Sequence, residues 1–467
     1  MKTGKAVVVI SILLLAASVS GSARLGIGLE CLDRDLWDIK PAFGALKELG
    51  VARGRLQSGW SKTEKAKGIY DFAWLDEVVD EVCAAGVEPW ISLSYGNPLY
   101  APTGTNARAD GIGLSPLLTD EGTAAWRRYV RATVSRFKDR VKVWEVWNEP
   151  ECGIFFKVRP GSTWCADYLE LLRITAAEIR AADPAARVAA GATAGSPGDD
   201  QIAGMFERGF AQMADIYTFH GYSAVPERFN RTAAATYAMI RRNAPKVEIW
   251  RGEAGLPSGP SGHGALSGVK TTEAVQCRWM ARHLVRDLAD PSIAFTSYFH
   301  LFDFLHFSHK YTYHYGVLRD GDYSKKPSFW VLKRIRQYFD DGACVPDGSL
   351  AMSSPADGMV FHAFRRNGSA FIAYVQPLPP SEDPVVAEID VSVFFGNSRE
   401  RWKDPVVMNV VDGSVARVKL DRWGFGARVP CSAELRVLTE AAALMPYVDM
   451  GAAAEKALET RGQRDHE

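Results

Sequence analysis

Along the chain, short apolar runs alternate with longer stretches in which apolar residues recur every three or four positions. The short runs read as strands over 24–30, 51–56, 89–95, 142–148, 187–192, 215–220, 247–251 and 293–300. The amphipathic stretches read as helices over 35–49, 74–85, 120–138, 167–182, 232–243, 271–289 and 327–339. In the second of these, Leu75, Val78, Val79 and Val82 fall on one helical face. Eight strands alternating with seven helices over 24–341 predict an α/β chain folded as a (β/α)8 TIM barrel. A doubly wound sheet is the alternative, but it needs a glycine-rich turn after the first strand, where this chain has Glu30-Cys31-Leu32-Asp33.

After residue 341 the period changes. Residues 345–440 carry short alternating segments with turn dipeptides, Asn367-Gly368 and Asp412-Gly413, placed between them. These predict hairpins and a small antiparallel β-sandwich domain. The tail, 441–467, becomes Ala-rich and charged from Gly451 and reads as a frayed helix. At the other end, Lys2 and Lys5 precede an apolar stretch from Ala6 to Ala17, and small residues follow up to Ala23. This is the three-part pattern of a secretory signal peptide over 1–23, too short for a membrane span. The expectation is a secreted or periplasmic protein that has no membrane association after cleavage.

Lys+Arg and Asp+Glu are 55 each, so nothing in the net charge favours nucleic acid or an anionic membrane. Hydrophobic residues at 47% and charged residues at 24% suit a globular chain and exclude disorder as a description of the whole. All seven Cys lie beyond the leader, in a compartment that permits disulfides, and an odd count leaves at least one unpaired within the chain. Cys152 with Cys165, and Cys344 with Cys431, are the expected pairs; Cys83 and Cys277 read as buried small hydrophobes. The spacings match no zinc motif. Asn230-Arg231-Thr232 and Asn367-Gly368-Ser369 are glycosylation sequons.

Barrel chemistry sits where strands end and βα-loops begin. Two glutamates fall there: Glu149 after strand four, in Trp144-Glu145-Val146-Trp147-Asn148-Glu149-Pro150, and Glu253 after strand seven, in Trp250-Arg251-Gly252-Glu253-Ala254-Gly255. Two carboxylates facing one cleft suit glycoside hydrolysis, in which one protonates the leaving oxygen and the other attacks the sugar carbon. Long loops follow Tyr95, Glu149, Glu253 and His300; loops of that length usually carry function. Glu145 shares strand parity with Glu149 and reads as a buried supporting acid, while Arg53 and Arg55 share parity with each other as possible inward guanidiniums.

The Trp-Asn-Glu-Pro segment and the strand-seven Glu resemble the clan A retaining glycoside hydrolases, most of all glycoside hydrolase family 39 and family-5-like neighbours. Arg55-Leu56-Gln57-Ser58-Gly59-Trp60, Lys67-Gly68-Ile69-Tyr70-Asp71-Phe72 and Tyr315-Gly316-Val317-Leu318 extend the resemblance over about residues 24–340. It implies Glu149 as acid/base and Glu253 as nucleophile, with Arg55 and Tyr222 hydrogen-bonding the nucleophile. It further implies Asn148 at the sugar 2-hydroxyl and His220 near the nucleophile. Sugar C–H faces stack on rings, so Trp60, Tyr95, Phe299 and Phe302 are expected platforms, and His300 and Asp303 are expected to bind sugar hydroxyls. The clan often places Trp at the end of strand eight; this chain has Tyr298-Phe299-His300. The loop 255–268, carrying His263, reads as a lid.

The expectation is therefore a secreted retaining β-glycosidase acting on an oligo- or polysaccharide without metal or organic cofactor. An exo-acting β-xylosidase or β-glucosidase is favoured over an endo-β-glycanase, a transglycosylase or a non-catalytic carbohydrate-binding protein.

Overall fold

The computed structural model describes residues 23–444, apart from 195–198, 261–264, 267–268, 270, 306–310, 355–357 and 397–399. The expected leader up to residue 22, the tail from residue 445, and His263 in the expected lid lie outside the described residues, as do the side chains of the sequon at 230–232.

Eight parallel strands close into a barrel in sequence order. They are β1 (Leu25–Gly28), β2 (Arg53–Gln57), β3 (Glu88–Leu93), β4 (Val143–Val146), β5 (Arg187–Ala194), β6 (Ile216–His220), β7 (Glu248–Glu253) and β8 (Phe295–Tyr298). A helix follows each: α1 (Ile39–Leu49), α2 (Ala73–Ala84), α3 (Asp120–Phe137), α4 (Trp164–Ala182), α5 (Asp199–Glu207), α6 (Pro226–Asn243), α7 (Glu273–Ala289) and α8 (Pro327–Phe339). Local chemistry starts several of them. Asp38, Thr119, Thr163 and Thr272 each accept a first-turn N–H at the N-cap, a contact that contributes about 1 kcal/mol. The pattern of the sequence marks no helix between strands five and six, yet α5 forms there. Its apolar signal reduces to two fully buried residues, Ile202 and Met205, with Gly204 between them.

The lower barrel interior is filled by Trp90, Val143, Ala189, Ile216, Trp250 and Phe295. The two inward positions of β1 are glycine, and a side chain at either would meet its neighbours. A Cβ on Gly26 would lie 2.4 Å from the Phe295 ring, and one on Gly28 would lie 2.4 Å from the Glu30 carboxylate. That carboxylate folds back into the barrel where a side chain of β1 would otherwise stand.

Beyond α8 lies a two-sheet domain. One sheet has six strands in the order Cys344–Pro346, Val360–Arg366, Ser369–Val375, Arg436–Glu440, Pro405–Asn409, Val415–Arg417. The other has four: Ala351–Ser353, Ala387–Phe394, Gly426–Cys431, Lys419–Leu420. Ile372, Tyr374 and Leu438 from the first pack with Val391, Val393 and Val429 from the second. Asn367 and Gly368 both have positive φ, as a tight two-residue hairpin loop requires, and Arg366 pairs with Ser369 across it. The domain is fastened to the barrel by Arg278 on Glu434 (2.8 Å) and by Arg334 on the carbonyls of Val410 and Val411.

All seven cysteines are free thiols, so neither expected disulfide forms. Cys344 and Cys431 belong to opposite sheets. Cys165 opens α4 beside Arg208, whereas Cys152 lies in the turn hydrogen-bonded to Glu149. Among the described residues no helix is long and apolar enough to cross a membrane.

Candidate active site

Strand alternation points Arg55 of β2 and Glu145 of β4 into the barrel, and both are fully buried. The Arg55 guanidinium organises the site. Its Nε and Nη2 donate to Glu145 Oε2 at 2.7 and 2.6 Å. Nη1 donates to Glu253 Oε1 at 2.5 Å and to Glu30 Oε1 at 2.9 Å, and Nη2 reaches Asn148 Oδ1 at 3.0 Å. Thr218 Oγ1 donates to the other Glu145 oxygen at 2.6 Å. Arg53 sits a layer lower, over the rings of Trp250 and Phe295 and paired with Glu88, away from these acids.

Glu149 stands just past β4 in a backbone held at positive φ at Trp147 and at Glu149 itself, with its N–H on the Ala192 carbonyl (2.9 Å). Positive φ on bulky residues costs free energy and persists only when the surroundings impose it. Trp147 points away from the cleft, packed on Trp126, Tyr95 and Phe156. Burial pushes the Glu149 carboxyl up to about 7, against the opposing pull of Arg55. Glu253, ending β7, receives Arg55 and, on its other oxygen, the Tyr222 hydroxyl at 3.0 Å. Both of its oxygens thus accept from donors.

His220, fully buried at the end of β6, joins the two acids. Its Nδ1 lies 2.8 Å from Glu149 Oε1 and 3.4 Å from Glu253 Oε2. Burial lowers its pKa to about 4, so the ring is neutral. Its Nε2 is buried against Gly252 with no hydrogen-bond partner among the described residues. The proton is therefore assigned to Nδ1, facing the carboxyls. The three ligand atoms, one each from Glu149, His220 and Glu253, lie within 4.8 Å of one another. A divalent ion fits this set poorly, because the Arg55 guanidinium already contacts Glu253. A second set, Asp303, His314 and Asp320, has the same defect, with Lys326 Nζ 2.6 Å from Asp303.

The remaining expected substrate contacts divide. Tyr95 is almost buried, stacked on Phe155 with Arg34 over its ring. Phe299, at the position where the clan often has Trp, stays partly exposed beside Tyr222. Trp60 is 1% exposed: its ring is stacked with Tyr100 and Tyr129, and its Nε1 donates to Glu64 at 2.5 Å. It offers no face to a sugar, because Tyr100 and the α3 residues Trp126 and Tyr129 close around it at the start of the short helix Trp60–Thr63. Phe302 is likewise buried, between Trp37 and Tyr323. His300 is fully buried, its Nε2 3.2 Å from the Glu30 carbonyl and its Nδ1 2.9 Å from the Phe302 carbonyl and 3.1 Å from the Phe302 N–H. Asp303 is held by Lys326 and by the Gly316 N–H at 2.7 Å. Strand eight stops at Tyr298, two residues earlier than the apolar pattern suggests, so His300 and Asp303 brace the loop after it. Glu30 is the site acid that sequence reasoning passed over. Its signal was an acid immediately after a strand whose inward positions are both glycine.

Residues 54–224 match the family model for glycosyl hydrolases family 39. The match spans the barrel from β2 to β6. In sequence, the chain is 30% identical over 146 residues to a 6-phospho-beta-glucosidase of Clostridium longisporum and 28% identical over 136 residues to a beta-xylosidase of Geobacillus stearothermophilus. The matches cover 30% and 28% of this chain but only 28% and 26% of those relatives. In structure, a family 39 glycoside hydrolase of Bacteroides cellulosilyticus WH2 superposes with a TM-score of 0.69 at 17% identity, covering 90% of this chain and 81% of that one. A monomeric beta-xylosidase of Caulobacter crescentus CB15 gives 0.58 at 16% identity, covering 90% and 97%. At these identities the superpositions show a shared fold. The family match agrees with the resemblance carried by the Trp-Asn-Glu-Pro and strand-seven motifs.

Proposed function

We propose that the protein is a retaining β-glycosidase that works by double displacement. One observation carries this reading: a Glu149 oxygen and a Glu253 oxygen lie within 4.8 Å of each other at the ends of β4 and β7. Retaining enzymes hold their carboxyls about 5–5.5 Å apart, whereas inversion needs about 6.5–9.5 Å to admit a water. Glu253, held by Arg55 and Tyr222, attacks the anomeric carbon. Glu149 protonates the leaving oxygen as that bond breaks. A covalent glycosyl–enzyme ester results, and Glu149, now ionised, takes a proton from the water that cleaves it. Neutral His220 donates from Nδ1 to Glu149 Oε1, which leaves Oε2 as the oxygen that carries the transferable proton. Asn148 accepts from Arg55 through its carbonyl, so its amide NH2 is the group available to a substrate hydroxyl.

The action we assign is exo, of β-xylosidase or β-glucosidase type. The long segments after β3, β4, β7 and β8 support a pocket more than an open groove, and one matched relative is a beta-xylosidase. The protein is exported, its first 23 residues acting as a cleaved leader. A panel of aryl α- and β-glycosides tests the activity, with wild type and Glu253→Ala side by side. Release from one β-glycoside, abolished in the variant, is the expected result. Silence on every aryl glycoside and every polysaccharide would overturn the reading, whereas activity on polysaccharides alone would replace exo with endo action. Amino-terminal sequencing of protein from the culture medium tests the export; a first residue other than Arg24 would refute this cleavage site.

A further inference from the structure

We infer that Glu30 is a proton-bearing positioning residue: a neutral carboxyl that holds Arg55 on the nucleophile Glu253 and whose ionisation disarms it. The inference rests on the glycosidase reading above for the word nucleophile, but not for the protonation of Glu30.

The geometry gives one cation to three acids. Arg55 Nη1 is shared between Glu253 Oε1 at 2.5 Å and Glu30 Oε1 at 2.9 Å, while Nε and Nη2 are committed to Glu145. The Glu30 side chain is 3% exposed. Its Oε2 occupies the space above Gly28 and has no hydrogen-bond partner among the described residues. The charges around it offer no second cation. His300 lies 3.5 Å from Oε2, but burial lowers its pKa to about 3, so it is neutral. The Cys31 thiol on the next residue is pushed up to about 12 and stays protonated. Arg34, on the following turn, is paired with Asp33 at 3.3 Å. His220 is neutral and turns to Glu149 and Glu253.

Were Glu30, Glu145 and Glu253 all ionised, two negative charges would remain uncompensated in a buried volume, an arrangement proteins avoid by protonating one member. Glu145 has the bidentate guanidinium and Thr218, and Glu253 has Arg55 and Tyr222. Glu30 accepts a single side-chain N–H, from Arg55 Nη1, and its Oε2 has no hydrogen-bond partner among the described residues, so the proton falls to it. Burial and the nearby Glu253 charge push its carboxyl up to about 8, above the Glu149 value. While neutral, Glu30 accepts from Nη1 through Oε1 and leaves the positive charge to Glu253. Once ionised, it draws on the same positive charge and sets a second negative charge beside the nucleophile.

The test uses a Glu149→Gln background, which removes the other acid titrating near neutrality, and 2,4-dinitrophenyl β-glucoside and β-xyloside, whose leaving groups need no proton. The expected kcat/KM is level to about pH 7, halved by about pH 8 and down about tenfold by about pH 9. Adding Glu30→Gln is expected to abolish that alkaline fall, whatever the absolute rate. A fall of the same size in the double variant overturns the inference. Difference infrared spectra of the Glu149→Gln protein read the proton directly, as a protonated-carboxyl C=O band lost between about pH 7 and about pH 9 and missing from the double variant. Absence of that band also overturns it. If neither dinitrophenyl glycoside is cleaved, the β-xylosidase or β-glucosidase assignment fails, and the infrared titration still decides whether Glu30 holds a proton.

Discussion

Replacing Arg55 by Met removes the only guanidinium that reaches Glu145, Glu253 and Asn148 among the described residues, while keeping a side chain of similar length. Glu145 is fully buried and Glu253 nearly so, and Thr218 and Tyr222 are the donors left to them. Breaking one buried ion pair from one side costs about 3–5 kcal/mol, because the other charge stays behind unpaired. Two acids lose a partner here, and proton uptake by one caps the sum, so we expect a loss of about 4–6 kcal/mol near neutral pH. The sign with pH follows. In the variant the folded state binds protons more tightly than the unfolded chain does, so stability falls as pH rises above the ordinary carboxylate range, and the deficit against wild type shrinks in acid. Urea unfolding followed by tryptophan fluorescence at about pH 7 and about pH 4.5 measures both effects. Glu145→Gln added to Arg55→Met should restore about 2 kcal/mol or more of the loss, since it removes one of the stranded charges. A deficit below about 1 kcal/mol, or one unchanged between the two pH values, would refute the view that this cluster is held by a single charge.

Glu149 sits at about 7, so turnover of poorly activated aryl glycosides should fall above that pH as the acid loses its proton; a limb at the ordinary carboxylate value would contradict the assignment. Glu149→Ala should lower kcat/KM about 10²–10⁴-fold for such substrates and far less for dinitrophenyl glycosides, a difference read by varying the leaving group. His220→Phe should move that alkaline limb, because Nδ1 contacts the acid at 2.8 Å, and an unmoved pH profile would show that the contact does not matter. Trp60→Ala should cost about 3–5 kcal/mol in urea unfolding and leave KM of the folded fraction unchanged, since the ring is core; a selective rise in KM would restore it as a sugar platform.

Period and strand-end position made much of this arrangement legible. Alternation along β2 and β4 places Arg55 and Glu145 inward, and the two glutamate motifs fall where a barrel gathers chemistry. What escaped depends on side-chain direction beyond a strand end, where alternation no longer applies. Trp60 follows β2 closely enough to suggest the cleft, yet it turns outward into Trp126 and Tyr129. His300 and Asp303 follow β8, but their partners, the Glu30 carbonyl and Lys326, come from distant parts of the chain. Helix α5 escaped for a different reason: its two buried apolar residues are too few to mark a period in a glycine-containing stretch.

The division of labour proposed for the two central acids rests on the donors each receives more than on the distance between them. Glu149 and Glu253 both lie at barrel strand ends and both touch His220 Nδ1. Glu253 also receives Arg55 on one oxygen and Tyr222 on the other, whereas Glu149 has neither of these donors and meets Arg55 only through its field. Burial with one neutral donor keeps the proton on Glu149 toward neutrality, whereas the guanidinium and phenol aim their N–H and O–H at Glu253. Exchanging the roles would mean re-aiming Arg55, which alternation on β2 and the bidentate grip of Glu145 prevent. The assignment of acid and nucleophile thus traces back to one inward position on the second strand.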